Sequence, residues 1–275
     1  MEQIPALTLP EGYLDFYRAL ESWQNVYQMK LKEQLPPPPG SSPEVLEELR
    51  LQRQPWFKLH PPIISSELYR DCWLGLLDFL AQNRQEVKDS LPALYQCADH
   101  LDFSQLPELC LREETGSIAI PEETSADLLL FSLEHAIRPF LRYLAMPYYE
   151  LIQSDQTSFW DQPKICPVCG GISRLSRFRS GDSKRFMFCD RCFTEWNANY
   201  LLCVHCGSTE VYKVKFLTLD QTAEFKLMVC DNCHGYAKCY DEYNCSGGAR
   251  DMFVANMETV YLDLLAQKEG YYNPE

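Results

Sequence analysis

Apolar positions recur at helical spacing through the first half of this chain. Leu14, Phe16, Tyr17, Leu20, Trp23 and Tyr27 predict one amphipathic helix over residues 12–34. The run Pro36-Pro37-Pro38-Pro39-Gly40-Ser41-Ser42 ends it, because consecutive prolines remove the amide donors a helix needs and favour an extended linker. Ser42-Pro43-Glu44 restarts a helix, with Ser42 as N-cap and Pro43 in the first turn. Another starts at Ser66, ahead of Leu68, Cys72, Leu76, Phe79 and Leu80, with Gly75 as its weak point. Further helices are predicted over about 84–98 and 104–112, then a loop over 114–123. A long helix begins near Ser125 and carries Leu128, Phe131, Leu133, Ile137, Leu141 and Leu144, with Pro139 as an expected kink.

The pattern changes at Phe159. Short alternating stretches replace helical ones. Arg174 to Arg179 alternates, Ser180-Gly181-Asp182 turns, and Arg185-Phe186-Met187-Phe188 returns, which predicts a β-hairpin. Val211 to Leu219, a polar turn near Asp220 to Thr222, and Phe225 to Val229 repeat the plan. Helical spacing resumes over Met252 to Lys268.

Each hairpin is flanked by cysteine pairs. Cys166-Pro167-Val168-Cys169-Gly170 and Cys189-Asp190-Arg191-Cys192 frame the first. Cys203-Val204-His205-Cys206-Gly207 and Cys230-Asp231-Asn232-Cys233 frame the second. The pairs lie 19 and 23 residues apart, and 10 residues join the two units, so the second half holds an internal repeat. A C-x-x-C turn puts two sulfurs on one side of a tight loop. Two such turns brought together by a hairpin supply a tetrahedron of thiolates, which suits zinc or a single iron equally. Gly170 and Gly207 are expected to take positive φ, letting backbone amides approach the sulfurs. The expected ligands are therefore Cys166, Cys169, Cys189 and Cys192 for one ion, and Cys203, Cys206, Cys230 and Cys233 for another. Four protein sulfurs leave no open coordination position, so catalysis at these ions is not expected. Units this small lack the core to fold alone, and metal binding would supply much of their folding free energy.

Composition adjusts this picture. The chain has 275 residues, thirteen cysteines and a formal charge of −14. Residues 161–275 hold 13 Lys+Arg against 15 Asp+Glu, so the acidity belongs to the first part. An acidic surface repels phosphate backbones and argues against nucleic acid. The basic hairpin Arg174, Arg177, Arg179, Lys184, Arg185 is instead expected to dock on the chain's own acidic half or on a partner protein. An odd cysteine count and close pairs argue against disulfides. Met1-Glu2-Gln3-Ile4-Pro5 has neither a basic start nor an apolar run behind it, and reduced thiols fit the cytoplasm. The most apolar stretch, Leu128 to Leu144, carries Glu134, His135, Arg138 and Arg142, so no membrane span is expected. Cys72, Cys97 and Cys110 are expected in the core. Cys239 and Cys245 read as free thiols, spare ligands or a redox pair, and His205 and His234 lie in or beside knuckles already supplied with sulfur. No Ser-His-Asp spacing, Walker loop or dinucleotide fingerprint occurs.

These residues predict an α+β protein. An acidic α-helical domain spans 1–158, a first rubredoxin-like or zinc-ribbon-like unit 159–198, and a second such unit with a terminal helix 199–275. Trp160 ahead of Cys166-Pro167-Val168-Cys169-Gly170, the three further knuckles, Glu195-Trp196, Gly235-Tyr236, and the tail Gln267-Lys268-Glu269-Gly270-Tyr271 resemble the FdhE family of formate dehydrogenase accessory proteins. The resemblance covers about 159–275 well, with Arg138-Pro139-Phe140-Leu141 as an echo further back. It implies a cytoplasmic assembly factor rather than an enzyme, with rubredoxin-like sites able to hold iron. Its partner would be the catalytic subunit of a respiratory formate dehydrogenase, a molybdenum- or tungsten-pterin enzyme exported folded by the twin-arginine route. A rubredoxin-like electron-transfer protein and a zinc-ribbon nucleic-acid binder are the competing readings of the same motifs.

Overall fold

The computed structural model describes residues 9–154, 160–218, 224–245 and 250–273. Its helical part comprises α1 (Tyr13–Gln34), α2 (Pro43–Gln52), α3 (Trp56–Leu59), α4 (Ser66–Asn83), α5 (Leu91–Cys97), α6 (Leu106–Arg112), α7 (Ala126–Ala145) and α8 (Tyr149–Ser154). The proline run stays outside any helix, and Ser42 precedes α2 in an extended conformation with Pro43 in its first turn. Ser65 and Ser125 cap α4 and α7 by accepting from the amides of Leu68 and Leu128. The segment expected as one helix over 84–98 is a 3-10 turn, Gln85–Ser90, followed by the shorter α5, because Pro92 sets a new first turn. The short α3 and α8 have no periodic signature of their own, and both turn out to touch the first cysteine cluster.

α7 is the central helix, packed against α1 and α4, and buried nearly all round. Several polar groups drawn into this core find partners. Trp73 Nε1 donates to Ser132 Oγ at 2.8 Å, and Tyr69 Oη donates to the Leu133 carbonyl at 2.8 Å. Arg142, with no exposed side-chain surface, reaches Glu21 at 2.9 Å and Gln24 at 2.8 Å. Burial, reinforced by Arg138 and Arg142, holds His135 well below the ordinary imidazole range, so it is neutral beside Gln24. Cys72, Cys97 and Cys110 are buried in this core, as expected.

The second part contains β1 (Leu175–Phe178), β2 (Arg185–Phe188), β3 (Glu195–Ala198), β4 (Val214–Leu217), β5 (Phe225–Cys230) and β6 (Tyr236–Asp241). Each unit thus has a third strand beyond its hairpin, placed just after its second knuckle. The expected polar turn near Asp220 to Thr222 lies outside the described residues. The two units share one six-stranded sheet in the order β3-β2-β1-β6-β5-β4. Neighbouring strands are antiparallel except β1 and β6, which pair in parallel with Leu175 opposite Lys238 and Phe178 opposite Asp241. The expected terminal helix is two, α9 (Met252–Glu258) and α10 (Val260–Lys268). Thr259 separates them. It is buried, and its hydroxyl bonds back to the Ala255 carbonyl at 2.8 Å. The core of the helical part runs on without a break into the first unit, through Trp160, Cys166, Val168, Met187 and Trp196.

Candidate metal centres

All four C-x-x-C turns fold in the same way. The amide four residues past the first cysteine donates back to that cysteine's carbonyl: Gly170 to Cys166, Phe193 to Cys189, Gly207 to Cys203 and His234 to Cys230, at 2.8–3.0 Å. The first cysteine's amide in turn donates to the carbonyl five residues on, at 2.8–3.0 Å: Gly171, Thr194, Ser208 and Gly235. This geometry requires positive φ at the fourth position, which Gly170 and Gly207 adopt freely at 86° and 72°. Phe193 and His234 adopt it at 66° and 56°, a conformation that costs a non-glycine residue about 1–2 kcal/mol. The turns then aim amides at sulfur: Gly171 N–H lies 3.4 Å from Cys169 Sγ, and Gly235 N–H lies 3.4 Å from Cys233 Sγ.

The hairpins bring these turns together in pairs. Cys166, Cys169, Cys189 and Cys192 form one cluster, and Cys203, Cys206, Cys230 and Cys233 form the other, with the four sulfurs of each within 4.8 Å of one another. Cross-turn sulfur separations are 3.5 Å for Cys166–Cys192 and Cys169–Cys189, 3.6 Å for Cys203–Cys233 and 3.7 Å for Cys206–Cys230. A disulfide would need about 2.05 Å. A regular tetrahedron with zinc–sulfur bonds of about 2.3 Å has an edge of about 3.8 Å. The donor set and its spacing therefore fit a four-thiolate ion in each cluster.

The surroundings differ. All four sulfurs of the first cluster are on buried residues. Helical elements close over it. The amides of Trp56 and Phe57 donate to the carbonyls of Pro167 and Val168 at 2.8 and 2.9 Å, and Tyr149 Oη donates to the Cys192 carbonyl. Arg191, between the two cysteines of its turn, reaches Glu134 at 2.8 Å, Glu113 at 2.9 Å and the Cys110 carbonyl at 2.6 Å. Arg142 lies 3.8 Å over the Phe193 ring, the strained residue of the same turn. Burial, followed by hydrogen bonding with the neighbouring thiols, pushes the Cys166 thiol well up.

In the second cluster Cys206 is exposed and Cys233 half-buried. Partial burial raises the Cys206 thiol, but hydrogen bonds from Asn232, from the Ser208 backbone and from neighbouring thiols outweigh it and bring it to about 7. The chain's own tail supports this cluster. Tyr272 N–H donates to the His234 carbonyl at 2.8 Å, and Tyr271 Oη donates to Asp231 at 2.6 Å. His205 Nε2 lies 2.9 Å from the Tyr236 carbonyl, and the His234 ring stacks on Tyr272, so both imidazoles have other partners.

One expectation changes, and one open alternative is decided. The basic hairpin does not dock on the acidic half. Arg177 is held by Glu195 and Glu242 and Arg179 by Asp182, while Arg185 is fully buried against the Leu202 carbonyl. The cation that grips the helical half is Arg191, in a knuckle, where a charge between two ligand cysteines was the available signal. Cys239 and Cys245 do not pair either. Cys239 packs with Phe178 and Met228, whereas Cys245 packs with Tyr240 and Phe253.

No protein-family model matches the chain. Among curated proteins, an FdhE homolog from Rhizobium meliloti is 31% identical over 111 residues, which cover 39% of this chain and 36% of that protein. The FdhE protein of Escherichia coli K12 is 27% identical over 119 residues, or 42% of this chain and 37% of that protein. The matched stretches thus span little more than a third of these relatives. An FdhE homolog from Haemophilus influenzae aligns further, at 20% identity over 76% of this chain and 68% of its own length. The crystal structure of the FdhE protein from Pseudomonas aeruginosa has the same fold, with a TM-score of 0.56 at 18% identity, covering 95% of this chain and 92% of that one. The chain thus resembles FdhE proteins in part of its sequence and shares the fold of one of them. The continuous core of the helical part and the first cluster packs these two parts of the fold together.

Proposed function

We propose that this chain is an accessory protein that binds the catalytic subunit of a respiratory formate dehydrogenase. It would hold that molybdenum- or tungsten-pterin subunit in the cytoplasm until maturation is complete and twin-arginine export can follow. In this reading Cys166, Cys169, Cys189 and Cys192 hold one ion, Cys203, Cys206, Cys230 and Cys233 hold a second, and each ion is iron or zinc. No residue is catalytic. Similarity to FdhE proteins is the observation that carries the reading. The chemistry of the clusters supports it, since four thiolates complete a tetrahedral shell and leave no position for a substrate. The test is co-purification of the full metal-loaded chain with the formate dehydrogenase catalytic subunit. Recovery of a stable complex is expected, and no recovery with both proteins folded would remove the reading.

A rubredoxin-like electron carrier is the second reading, favoured by the four-sulfur geometry itself, which accommodates ferrous and ferric iron. It requires a reversible visible-absorption change on reduction of the anaerobically purified protein. Nucleic-acid binding loses its main support, because the hairpin's Arg177, Arg179 and Arg185 are engaged internally.

A further inference from the structure

Among the described residues, Arg138, Arg142, Arg185 and Arg191 are the buried arginines. Arg138, Arg142 and Arg191 each reach a carboxylate. Arg185 is 1% exposed and pairs with no carboxylate among the described residues. Its Nε donates to Ser176 Oγ at 3.1 Å and its Nη1 to the Leu202 carbonyl at 2.9 Å. Its Nη2 is buried with no hydrogen-bond partner among the described residues. A guanidinium taken out of water without an anion is costly, so its burial calls for a negative charge nearby.

What lies beside Arg185 is sulfur. Leu202 immediately precedes Cys203, a ligand residue of the second cluster. Ser176 Oγ lies 3.2 Å from Cys239 Sγ, and Cys239 packs in one buried group with Cys203 and Cys230. Burial lowers Arg185 from the usual arginine range, and the sulfurs of Cys239 and Cys203 act against that. Cys239 directs its own S–H at the Ala237 carbonyl, 3.8 Å away, as a neutral thiol does. The cluster is the stronger source of charge, because four thiolates around a divalent ion make a doubly negative centre. The first cluster is served differently. Its Arg191 is already taken up by Glu134 and Glu113 at 2.8 and 2.9 Å.

We propose that Arg185 is the counter-charge of the second metal centre, a cation lent by β2 of the first unit to the ion held by Cys203, Cys206, Cys230 and Cys233. This rests on the reading that the second cluster holds an ion, and adds the residue that balances it. Arg185 touches no ligand sulfur through a hydrogen bond, so it acts through charge. A cation beside the site favours its more negative state, which for iron is ferrous over ferric.

The test loads the full chain with iron anaerobically and compares wild type with Arg185→Met and Arg185→Lys. Cys203→Ser identifies which midpoint potential and which chelator-release step belong to the second centre. Arg185→Met should weaken the second ion about 10- to 100-fold and leave the first unchanged. It should also lower the second potential by about 59 mV, if the ferrous form loses about tenfold more affinity than the ferric. Arg185→Lys keeps the charge without the guanidinium's paired bonds, and should restore both affinity and potential. Weaker binding with an unmoved potential overturns the proposal, because packing alone would explain it. Unchanged affinity also overturns it, and is the outcome expected if a Cys239 thiolate balances Arg185 instead. Should Arg185→Met fail to fold, Arg185→Lys decides: a wild-type second ion and potential support the proposal, and loss of either overturns it. The metal reading is separable. A wild-type chain with no ion in the second cluster removes reading and inference together. Two ions in wild type, with nothing changed in Arg185→Met, remove the inference alone.

Discussion

The two cysteine clusters share one backbone design and differ in what surrounds it. The first is buried, and its turns are bonded to α3, α6, α7 and α8. The second reaches solvent at Cys206 and leans on the C-terminal tail. Equivalent positions make the contrast sharp. The third residue of C-D-R-C is Arg191, which ties the turn to two carboxylates and a carbonyl of the helical half. In C-D-N-C it is Asn232, which donates to Cys206 Sγ at 3.5 Å within its own cluster. A repeated motif can thus serve as a keystone in one copy and as a peripheral module in the other, according to what packs on it.

The largest expected effect comes from removing a ligand in each cluster. Cys166→Ser should lose one ion and also unfold part of the helical half, because a structural four-thiolate ion contributes about 10 kcal/mol or more of apparent folding energy. Cys203→Ser should lose the other ion yet keep near-native helical circular dichroism. Metal analysis with far-ultraviolet spectra checks both, and equal loss of helix in the two variants would break the distinction.

Next is Arg191→Met, which strands Glu134 beside a weakened Arg138 and should cost about 3–5 kcal/mol in denaturant unfolding. Asn232→Ala, at the matching position, should cost no more than about 1 kcal/mol. A chelator series should sharpen the comparison kinetically. The second cluster should release its ion at least about tenfold faster, since Cys206 is open to attack while the first cluster must first undergo local opening. Biphasic release, with the fast phase lost in Cys203→Ser, is the expected trace. The smallest effect should come from Gly207→Ala, about 1 kcal/mol from its positive φ alone, because nothing lies within 4 Å of the added Cβ. Gly170→Ala should cost about the same, since the nearest atom to its added Cβ, Pro55 Cγ at 3.4 Å, is at ordinary van der Waals distance.

Much of this was readable from local pattern. Leu14 to Tyr27 announced α1, the proline run its end, and Ser125 the start of α7, because periodicity and capping act over a few residues. The short strands β3 and β6 escaped, since four to six residues after a knuckle carry no distinctive alternation. α3 and α8 escaped for the same reason, although they close the first cluster. The role of Arg191 depended on α6 and α7 standing opposite it, which nothing near residue 191 encodes.

The sequence by itself determined the helical first half, the repeated cysteine turns and the chemistry of their sulfurs, because spacing and residue type settle local geometry and ligand preference. Only the tertiary structure decided that the two units join through the parallel β1–β6 pair, and that one cluster is enclosed while its twin faces water. Only it opened the cleft between α7, the Asp190–Arg191 turn and the terminal helices. The physical reason is range: turns and helices are set by neighbours along the chain, whereas burial and charge compensation depend on residues brought together from far apart in it.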